Sequence, residues 1–575
     1  MNRSRWIVRP FPEDPFTTPA EAGRSLGVSP TVAQLLLSRG LESLEEMEVF
    51  LNPGLRHLCA PESVPGLREA AEALARGLER GKRMAVWGDY DVDGVTSTAM
   101  CMDFLKKRGF AAVSHIPDRR EEGYGLNTAG IERLAEDGVE LLLTVDCGVS
   151  DVEPIERARE LGMEVVVSDH HLPPDELPRA LAVCNPRLGG DCACADLAGV
   201  GVAFFLLAAL NRLLPGDPVD MRQYLDLVAL GTLADVVPLQ GQNRILAKNG
   251  LLLIKEAARP GLFALKEAAG FAPQAPLGAG QVVFGLAPRI NAAGRLGHAR
   301  DALDMLLAPD KETARPLAAK LDELNSTRRG EEEAITKAAL EQAEPFGERP
   351  GIVVAGEDWH PGVIGIVASR LVERFYRPAL VLTRENGLLK GSGRSTREFD
   401  LHGGLGQCAH LLEGYGGHKQ AAGLSLLPEN LDALRAAFES AVNAQLGEEM
   451  PPPSLLLDAE LGLEGIDHVL LRELEMMQPF GAGNPEPAFL SPRLTVEGMS
   501  RFGKNHLKMR LRDADSGRAL KAKAWRQADE ISPKVAGKQV RVAFTPKIDT
   551  YGGVPTIEMH VRDLRVDEDV RRGTP

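Results

Sequence analysis

Three aspartates alternate within seven residues, Gly88-Asp89-Tyr90-Asp91-Val92-Asp93-Gly94. Carboxylates this close repel one another unless a cation sits among them, and a divalent metal is the simplest such cation. Three more groups of potential ligands follow: Asp146 in Thr144-Val145-Asp146-Cys147-Gly148, then Asp169-His170-His171, then Asp235 at the end of Gly231-Thr232-Leu233-Ala234-Asp235. Each is weak alone, because an aspartate that ends an apolar run is more often a helix cap or turn residue, and a His-His pair is often structural. Four in one segment carry more weight. Carboxylates mixed with imidazole suit Mn²⁺ or Mg²⁺ better than a structural zinc, which favours thiolates. With six or more candidate ligands, two ions are expected, and paired ions serve phosphoryl chemistry by activating water and neutralising phosphate charge. Asp-x-Asp-x-Asp-Gly also opens an EF-hand loop, but position twelve from Asp89 is Met100 rather than a bidentate glutamate, and the run before it is strand-like.

The elements that must hold these side chains read as α/β. Apolar runs at Met84–Trp87, Leu141–Val145 and Val165–Val167 are short and β-branched, as buried parallel strands are, and helical stretches separate them. Each run stops at acidic or histidine residues. All four groups are therefore expected at strand ends on one edge of one sheet, where ligands bind in open α/β folds. Upstream, Ser29-Pro30 offers an N-cap with a first-turn proline, and Ser43-Leu44-Glu45-Glu46 reads as a capping box. Residues 241–345 look mainly helical, with Lys320 to Lys337 as a long solvated connector. A second α/β unit starts at Gly351-Ile352-Val353-Val354-Ala355 and ends at the linker Glu448–Pro453. In the last unit Leu507-Lys508-Met509-Arg510-Leu511-Arg512 and Leu520-Lys521-Ala522-Lys523-Ala524 alternate strictly, one face apolar and the other basic. Such strands fit a small barrel of the OB type, which often binds single-stranded nucleic acid, with Phe502, Trp525 and Tyr551 as stacking candidates.

The chain has 575 residues, enough for three or four domains. No long apolar run is present, so no membrane span is expected, and Met1–Trp6 lacks the apolar core of a signal peptide; the expected compartment is the cytoplasm. The seven cysteines are irregularly spaced, and the only cluster, Cys192-x-Cys194 near Cys184, reads as reduced thiols rather than a metal or redox site. A formal charge of −15 taken alone argues against nucleic-acid binding. Ser491 to His560 nevertheless holds 14 Lys/Arg against 7 Asp/Glu, a local +7, so the acidic total hides a basic surface. Gly199-Val200-Gly201 is no dinucleotide fingerprint, because Phe204 stands where the third glycine belongs.

Asp91-Val92-Asp93-Gly94, Asp146, Asp169-His170-His171 and Asp235 resemble the four motifs of the DHH phosphoesterase superfamily, and residues 416–423, Gly-Gly-His-Lys-Gln-Ala-Ala-Gly, resemble the motif of its DHH-associated domain. Further stretches narrow the likeness: Pro117-Asp118-Arg119 with Glu122-Gly123-Tyr124-Gly125, then residues 287–295, 359–365 and 479–487. Together, nearly end to end, they resemble the superfamily's single-strand-specific DNA exonucleases. The resemblance implies an N-terminal helical segment (1–60), a DHH parallel-sheet domain (61–240), a helical connector (241–348), a DHH-associated α/β domain (349–448) and a C-terminal OB-fold (449–575). It implies hydrolysis of single-stranded DNA from 5′ to 3′ into 5′-mononucleotides, with two Mn²⁺ or Mg²⁺ ions, in DNA repair and recombination. Asp89 and Asp91 would serve one ion and Asp93, His170 and Asp235 the other, with Asp146 bridging. Asp169 would orient the histidines, His171 would support the metal ligands from behind or touch the phosphate, and His418 would reach the scissile phosphate. Arg119, Tyr124, Arg289, Asn291, Ser392 and Arg394 would bind the 5′-phosphate and DNA, and the barrel face with Lys508 and Arg510 would hold the strand. The implied partners are single-stranded DNA with a 5′ end, single-strand-binding protein and a repair helicase. The alternative is an oligonucleotide or cyclic-dinucleotide phosphodiesterase of the same superfamily, which shares the metal motifs but resembles a shorter chain.

Overall fold

In the first sheet, neighbouring residues of one strand face two different cores. Met84, Val86, Leu141 and Leu143 pack under the helices Leu67–Glu79, Val92–Lys107 and Gly199–Leu213. Ala85, Trp87 and Leu142 pack on the opposite side, under Thr128–Glu136 and Val152–Glu160. A strand covered on both faces must be apolar throughout, which is why these runs do not alternate. The structure, a computed structural model, describes residues 4–119, 121–189, 192–550 and 553–566. The sheet is five-stranded and all parallel, in the order Ala112–His115, Met84–Gly88, Leu141–Val145, Glu164–Ser168, Ala182–Cys184. Register decides where the chemistry goes. Gly88 pairs with Val145 and Val145 with Ser168, so the next residues, Asp89, Asp146 and Asp169, emerge side by side at the carboxyl edge.

Asp235 departs from the expected strand end. It follows the helix Leu225–Ala234, whose residues from Leu225 to Leu233 are all buried. A helix enclosed on every side is apolar all round and has no period to separate it from a buried strand.

Helices at Gly241–Glu256, Pro260–Ala268, Ala287–Leu296 and Arg300–Leu306 lead into the 33-residue helix Lys311–Ala343. This last helix is not merely solvated, as its charged sequence suggests. It has a buried face that includes Leu321, Asn325, Arg328, Ile335 and Ala339. The second sheet runs Gly414–Gly417, Ala421–Leu426, Leu388–Arg394, Ala379–Glu385, Ile352–Gly356, with only the last pair parallel. In the C-terminal unit, Leu494–Phe502, His506–Asp513, Ala519–Ala524, Thr556–Val566 and Gln539–Asp549 pair in that order, and Leu494 opposite Val540 returns to the first strand. Leu507, Met509 and Leu511 point inward while Lys508 and Arg510 stay exposed.

The N-terminal elements join the C-terminal unit. Arg5–Val8 pairs in parallel with Ser454–Leu457, and the helices Pro19–Leu26, Pro30–Ser38 and Leu44–Leu51 share one core with the C-terminal strands. Ser43 caps its helix through the Glu46 N–H, but the Glu46 carboxylate returns to the Glu42 N–H rather than to Ser43, so the capping box is incomplete. Arg244 and Lys248 of the helix Gly241–Glu256 stitch this terminal body to the first domain. Arg244 donates to the carbonyls of Phe50 (2.8 Å), Met476 (3.2 Å) and Gln478 (3.0 Å) and stacks 3.8 Å from the Phe50 ring centroid. Lys248 donates to Leu51 and Met476 carbonyls at 2.8 and 2.7 Å. Both cations thus satisfy the carbonyl ends of two helices, Leu44–Leu51 and His468–Met476, where the helix dipole is negative. Arg244→Leu is expected to cost about 1–3 kcal/mol in denaturant unfolding, because buried carbonyls lose their donor. Limited proteolysis should then free the terminal body sooner than in the wild type.

Candidate metal centre and phosphate cleft

Local structure fixes each acidic side chain differently. Asp91 is the N-cap of the helix Val92–Lys107, its Oδ1 accepting from the Asp93 and Gly94 N–H at 2.8 and 3.1 Å. Asp93 lies in the first turn of that helix, and its two carboxylate oxygens accept from Gly199 N–H (2.7 Å) and Val200 N–H (2.9 Å), the start of a second helix. Two helix N-termini therefore face the acidic turn, which is where an anion is stabilised. Asp146 has a φ of 63° and Val236, the residue after Asp235, a φ of 62°. Such backbone is costly for residues other than glycine and persists only where its surroundings enforce it. Glycines let the elements close in. A Cβ on Gly199 would stand 2.5 Å from Asp146 Oδ1, and one on Gly231 2.7 Å from Asp93 Oδ1.

The ligand atoms fall into three overlapping groups, each within 4.8 Å: Asp89 with Asp91 and Asp146; Asp93 with His170 and Asp235; Asp146 with His170 and His171. His170 Nε2 lies 3.1 Å from Asp146 Oδ1 and 3.7 Å from Asp235 Oδ2. Asp89 Oδ1, Asp146 Oδ1, Asp235 Oδ2 and both ring nitrogens of His170 are buried without a hydrogen-bond partner. Buried acceptors lacking donors are rare in a native fold, and oxygen and imidazole donors in this number fit a pair of Mn²⁺ or Mg²⁺ ions. Asp169 holds the His171 ring directly, Oδ1 to Nδ1 at 2.8 Å, but reaches His170 only through its backbone N–H at 2.7 Å. Tyr124 brings its hydroxyl to within 3.2 Å of the His171 ring.

Burial and mutual charge govern protonation here. Burial, then Asp91, pushes Asp89 well above the usual carboxylate range; burial, then Asp93, does the same to Asp146. Asp93 and Asp235 are raised by the same two effects. Burial, with His171 beside it, pulls His170 down to about 4, so its imidazole is neutral and free to be a ligand. Burial opposes the charge on His171, but its hydrogen bond to Asp169 and the nearby carboxylates outweigh this and raise it. Carboxylates raised in the fold contribute stability below about pH 4 that is lost as pH rises through their folded values. The metal-free protein should therefore melt at a lower Tm at pH 8.5 than at pH 6.5 in EDTA. Added Mn²⁺ should raise Tm more at pH 8.5, because binding no longer displaces protons.

Three guanidinium groups, of Arg119, Arg295 and Arg394, gather beside this cluster, and a fourth nearby, Arg328, is held by Glu332 and Asn325. Arg119 lies 5.1 Å from the Tyr90 ring centroid. Arg394 donates to Ser392 Oγ (3.1 Å) and the Gly393 carbonyl (2.7 Å). Arg295 donates to the Gly362 carbonyl (2.7 Å) at the start of the helix Pro361–Phe375, so it joins the connector to the second domain. Burial, with repulsion from Arg119, Arg328 and Arg394, lowers Arg295 to about 10. Like charges gathered in this way are suited to receive an anion. Sequence reasoning missed Arg295 and Arg328. Arg295 closes the stretch 287–295, which pointed to it, whereas Arg328 sat among charges that read as solvated. Arg289 is nine-tenths buried and committed elsewhere, to Asp322 at 2.8 Å and to the Gly285 carbonyl. Asn291 lines a cleft of about 1130 Å³ together with Ala234, Phe284, Arg295, Arg328 and, from the C-terminal unit, Arg526. Phe284, 77% exposed, stands on the π-helical turn Val282–Leu286.

His418 is exposed in the turn after Gly414–Gly417 and belongs to none of the ligand groups among the described residues. On the C-terminal unit Arg510 shares Glu497 with Arg512, Lys508 lies 4.9 Å from the Phe502 ring centroid, and Trp525 packs edge-on to Phe502 and His506. Tyr551 lies outside the described residues.

A parallel sheet with this acidic edge, a connector and a second α/β domain carrying the Gly-Gly-His stretch define a DHH phosphoesterase. Residues 83–232 match the family model "DHH family, N-terminal domain", residues 349–444 the "DHHA1 domain" and residues 457–563 the "RecJ OB domain". The chain belongs to the RecJ family. It is 36% identical over 577 aligned residues to the single-stranded-DNA-specific exonuclease RecJ of Bacillus subtilis (strain 168), covering 99% of this chain and 71% of that protein. The crystal structure of RecJ in complex with Mn²⁺ from Thermus thermophilus is similar at a TM-score of 0.84 and 37% identity, covering 98% of this chain and 79% of that one. The Mg²⁺ complex from the same organism gives 0.78 and 36%, over 98% and 78% of the chains.

Proposed function

We propose that the chain is a metal-dependent exonuclease that degrades single-stranded DNA from its 5′ end and releases 5′-mononucleotides, in the service of DNA repair and recombination in the cytoplasm. The observation that carries this reading is the juxtaposition of a buried, donor-poor carboxylate cluster with the guanidinium groups of Arg119, Arg295 and Arg394. The family comparisons support single-stranded DNA as the substrate, and the placement of the arginines beside the acidic edge supports recognition of a terminal phosphate. When bound, Mn²⁺ or Mg²⁺ would activate water near neutral pH and neutralise charge on the scissile phosphate.

The protein's own groups do the rest. Asp89 and Asp91 form one half of the metal centre, Asp93, His170 and Asp235 the other, and Asp146, a member of groups on both sides, joins them. Asp169 fixes the His171 ring through Nδ1, and the Tyr124 hydroxyl lies against the same ring, so that His171 faces the substrate in one orientation. Arg119, Arg295 and Arg394, with Ser392, grip the 5′-phosphate through planar, charge-assisted hydrogen bonds. Arg289 supports them indirectly by tying the helix Ala287–Leu296 to Asp322. His418 contributes to the scissile phosphate from the edge of the second sheet. The cleft past Asn291 and Phe284 leads the strand toward the C-terminal unit, where Lys508, Arg510 and the Phe502–Trp525 pair offer charge and a stacking surface.

Two measurements test this. With single strands labelled at either end, the wild type should release label from the 5′ end first, while Asp146→Ala, folded by circular dichroism, should be slower by at least about a thousandfold. Release from the 3′ end, or an Asp146→Ala protein at the wild-type rate, would sink the reading. Arg394→Ala should cut the preference for 5′-phosphorylated over 5′-hydroxyl strands by about 10- to 100-fold, the worth of a charge-assisted hydrogen bond. Unchanged discrimination would remove Arg394 from the pocket.

A further inference from the structure

Three cysteines that the metal centre does not use come together. Cys59 Sγ lies 2.8 Å from Cys194 Sγ, across 135 positions of sequence. Cys192 Sγ lies 3.2 Å from the Ser63 carbonyl and accepts from the Cys194 N–H at 3.3 Å. Cys184, which the sequence grouped with them, is buried at the end of its own strand. One helix positions the contact. Gln242 Oε1 accepts from the Cys59 N–H at 3.0 Å, and Asn243 donates to the carbonyl of Asp196, two residues past Cys194. Gln242 and Asn243 are adjacent and buried, so both cysteine loops are registered on the same turn of Gly241–Glu256. Cys194 is buried and Cys59 is partly open to solvent.

We propose that Cys59 and Cys194 form a redox-reactive dithiol that a hydroperoxide converts into an intramolecular disulfide. The contact between the two sulfurs lowers the Cys59 pKa and favours its thiolate, while the same contact and burial push Cys194 up. Cys59 is thus the attacking sulfur and Cys194 the resolving one. The Cys59 thiolate attacks the hydroperoxide; an S–O bond forms, the O–O bond breaks, and the leaving alkoxide or hydroxide takes up a proton. The Cys194 sulfur then attacks the sulfenic sulfur of Cys59; the S–S bond forms, the S–O bond breaks, and hydroxide leaves with the Cys194 proton as water. Two thiols are oxidised by two electrons and the peroxide is reduced by two.

The bond would tie the segment that enters the first domain, packed on that domain's core, to the loop that leads, five residues later, into Gly199, whose amide holds Asp93. The sulfurs are already in contact, so closure leaves that amide in place. A cross-link over 135 positions mainly restricts the unfolded chain. The oxidised protein is therefore expected to keep its exonuclease rate and to resist heat better.

The test uses the full chain, treated with hydrogen peroxide, alkylated, digested and analysed by mass spectrometry. Peptides containing Cys59 and Cys194 should appear joined, two hydrogens lighter, and should separate with dithiothreitol. Tm should rise by about 5 °C in the wild type and in Cys192→Ser, but not in Cys59→Ser or Cys194→Ala, with nuclease rates within about twofold throughout. Oxidation that stops at sulfinic acid, joins Cys192 instead, or raises Tm equally in Cys59→Ser would overturn the proposal. So would an oxidised protein that loses its nuclease rate while the reduced one retains it.

Discussion

Mutual repulsion among buried carboxylates is the constraint on which the first domain is built. Asp89, Asp93 and Asp146 are almost wholly buried within one small volume, and each is pushed up by a neighbouring carboxylate. A fold does not gather such groups for stability, because burying like charges is expensive. The costs are spread over neighbouring elements. Two helix N-termini aim amides at Asp91 and Asp93, Gly199 and Gly231 admit helix backbone to within reach of the carboxylates, and the backbone at Asp146 and Val236 is held left-handed. The doubly covered sheet is stiff enough to enforce this, since both faces of Met84–Gly88 and Leu141–Val145 are locked in separate cores.

Much of this was legible in the sequence, for a physical reason. Ligands set at the ends of short apolar runs advertise themselves, because parallel strands are uniformly apolar and the first polar residue marks the sheet edge. Asp89, Asp146 and Asp169 follow that rule. Asp235 gave the same local signal from a buried helix, since periodicity vanishes when no face meets water. The alternating strands of the C-terminal unit were equally plain, because one face is solvated. What sequence could not show is which distant groups share a space. Arg328 looked solvated and is buried, Arg289 meets Asp322, and Cys194 touches Cys59 rather than its sequence neighbour Cys192.

The helix Gly241–Glu256 shows how one element can serve several such long-range needs. Gln242 and Asn243 fix the two cysteine loops, Arg244 and Lys248 take the carbonyl ends of two helices in the terminal body, and Asn249 donates to the Pro53 carbonyl at 2.9 Å. These are polar contacts across a seam, directional where hydrophobic burial is not. They fix the orientation of the C-terminal unit relative to the acidic edge, and a strand that spans both requires that orientation to be kept.

The net charge of −15 is compatible with a nucleic-acid substrate because the charge is sorted rather than mixed. Carboxylates crowd one side of the site and guanidinium groups the other, each set raising the energy of its own members: burial and like charge lift Asp235, and burial and like charge lower Arg295. Direct ion pairs between the two sets would relieve both and would also fill the space between them. Arg289 shows that outcome, paired with Asp322 and withdrawn from solvent. Arg394 instead donates to neutral partners, the Gly393 carbonyl and Ser392 Oγ, which satisfy N–H groups without neutralising charge. A phosphate accompanied by divalent cations supplies what each side lacks at once. Under the proposed function, the repulsion within the two sets is binding energy held in reserve for that combination.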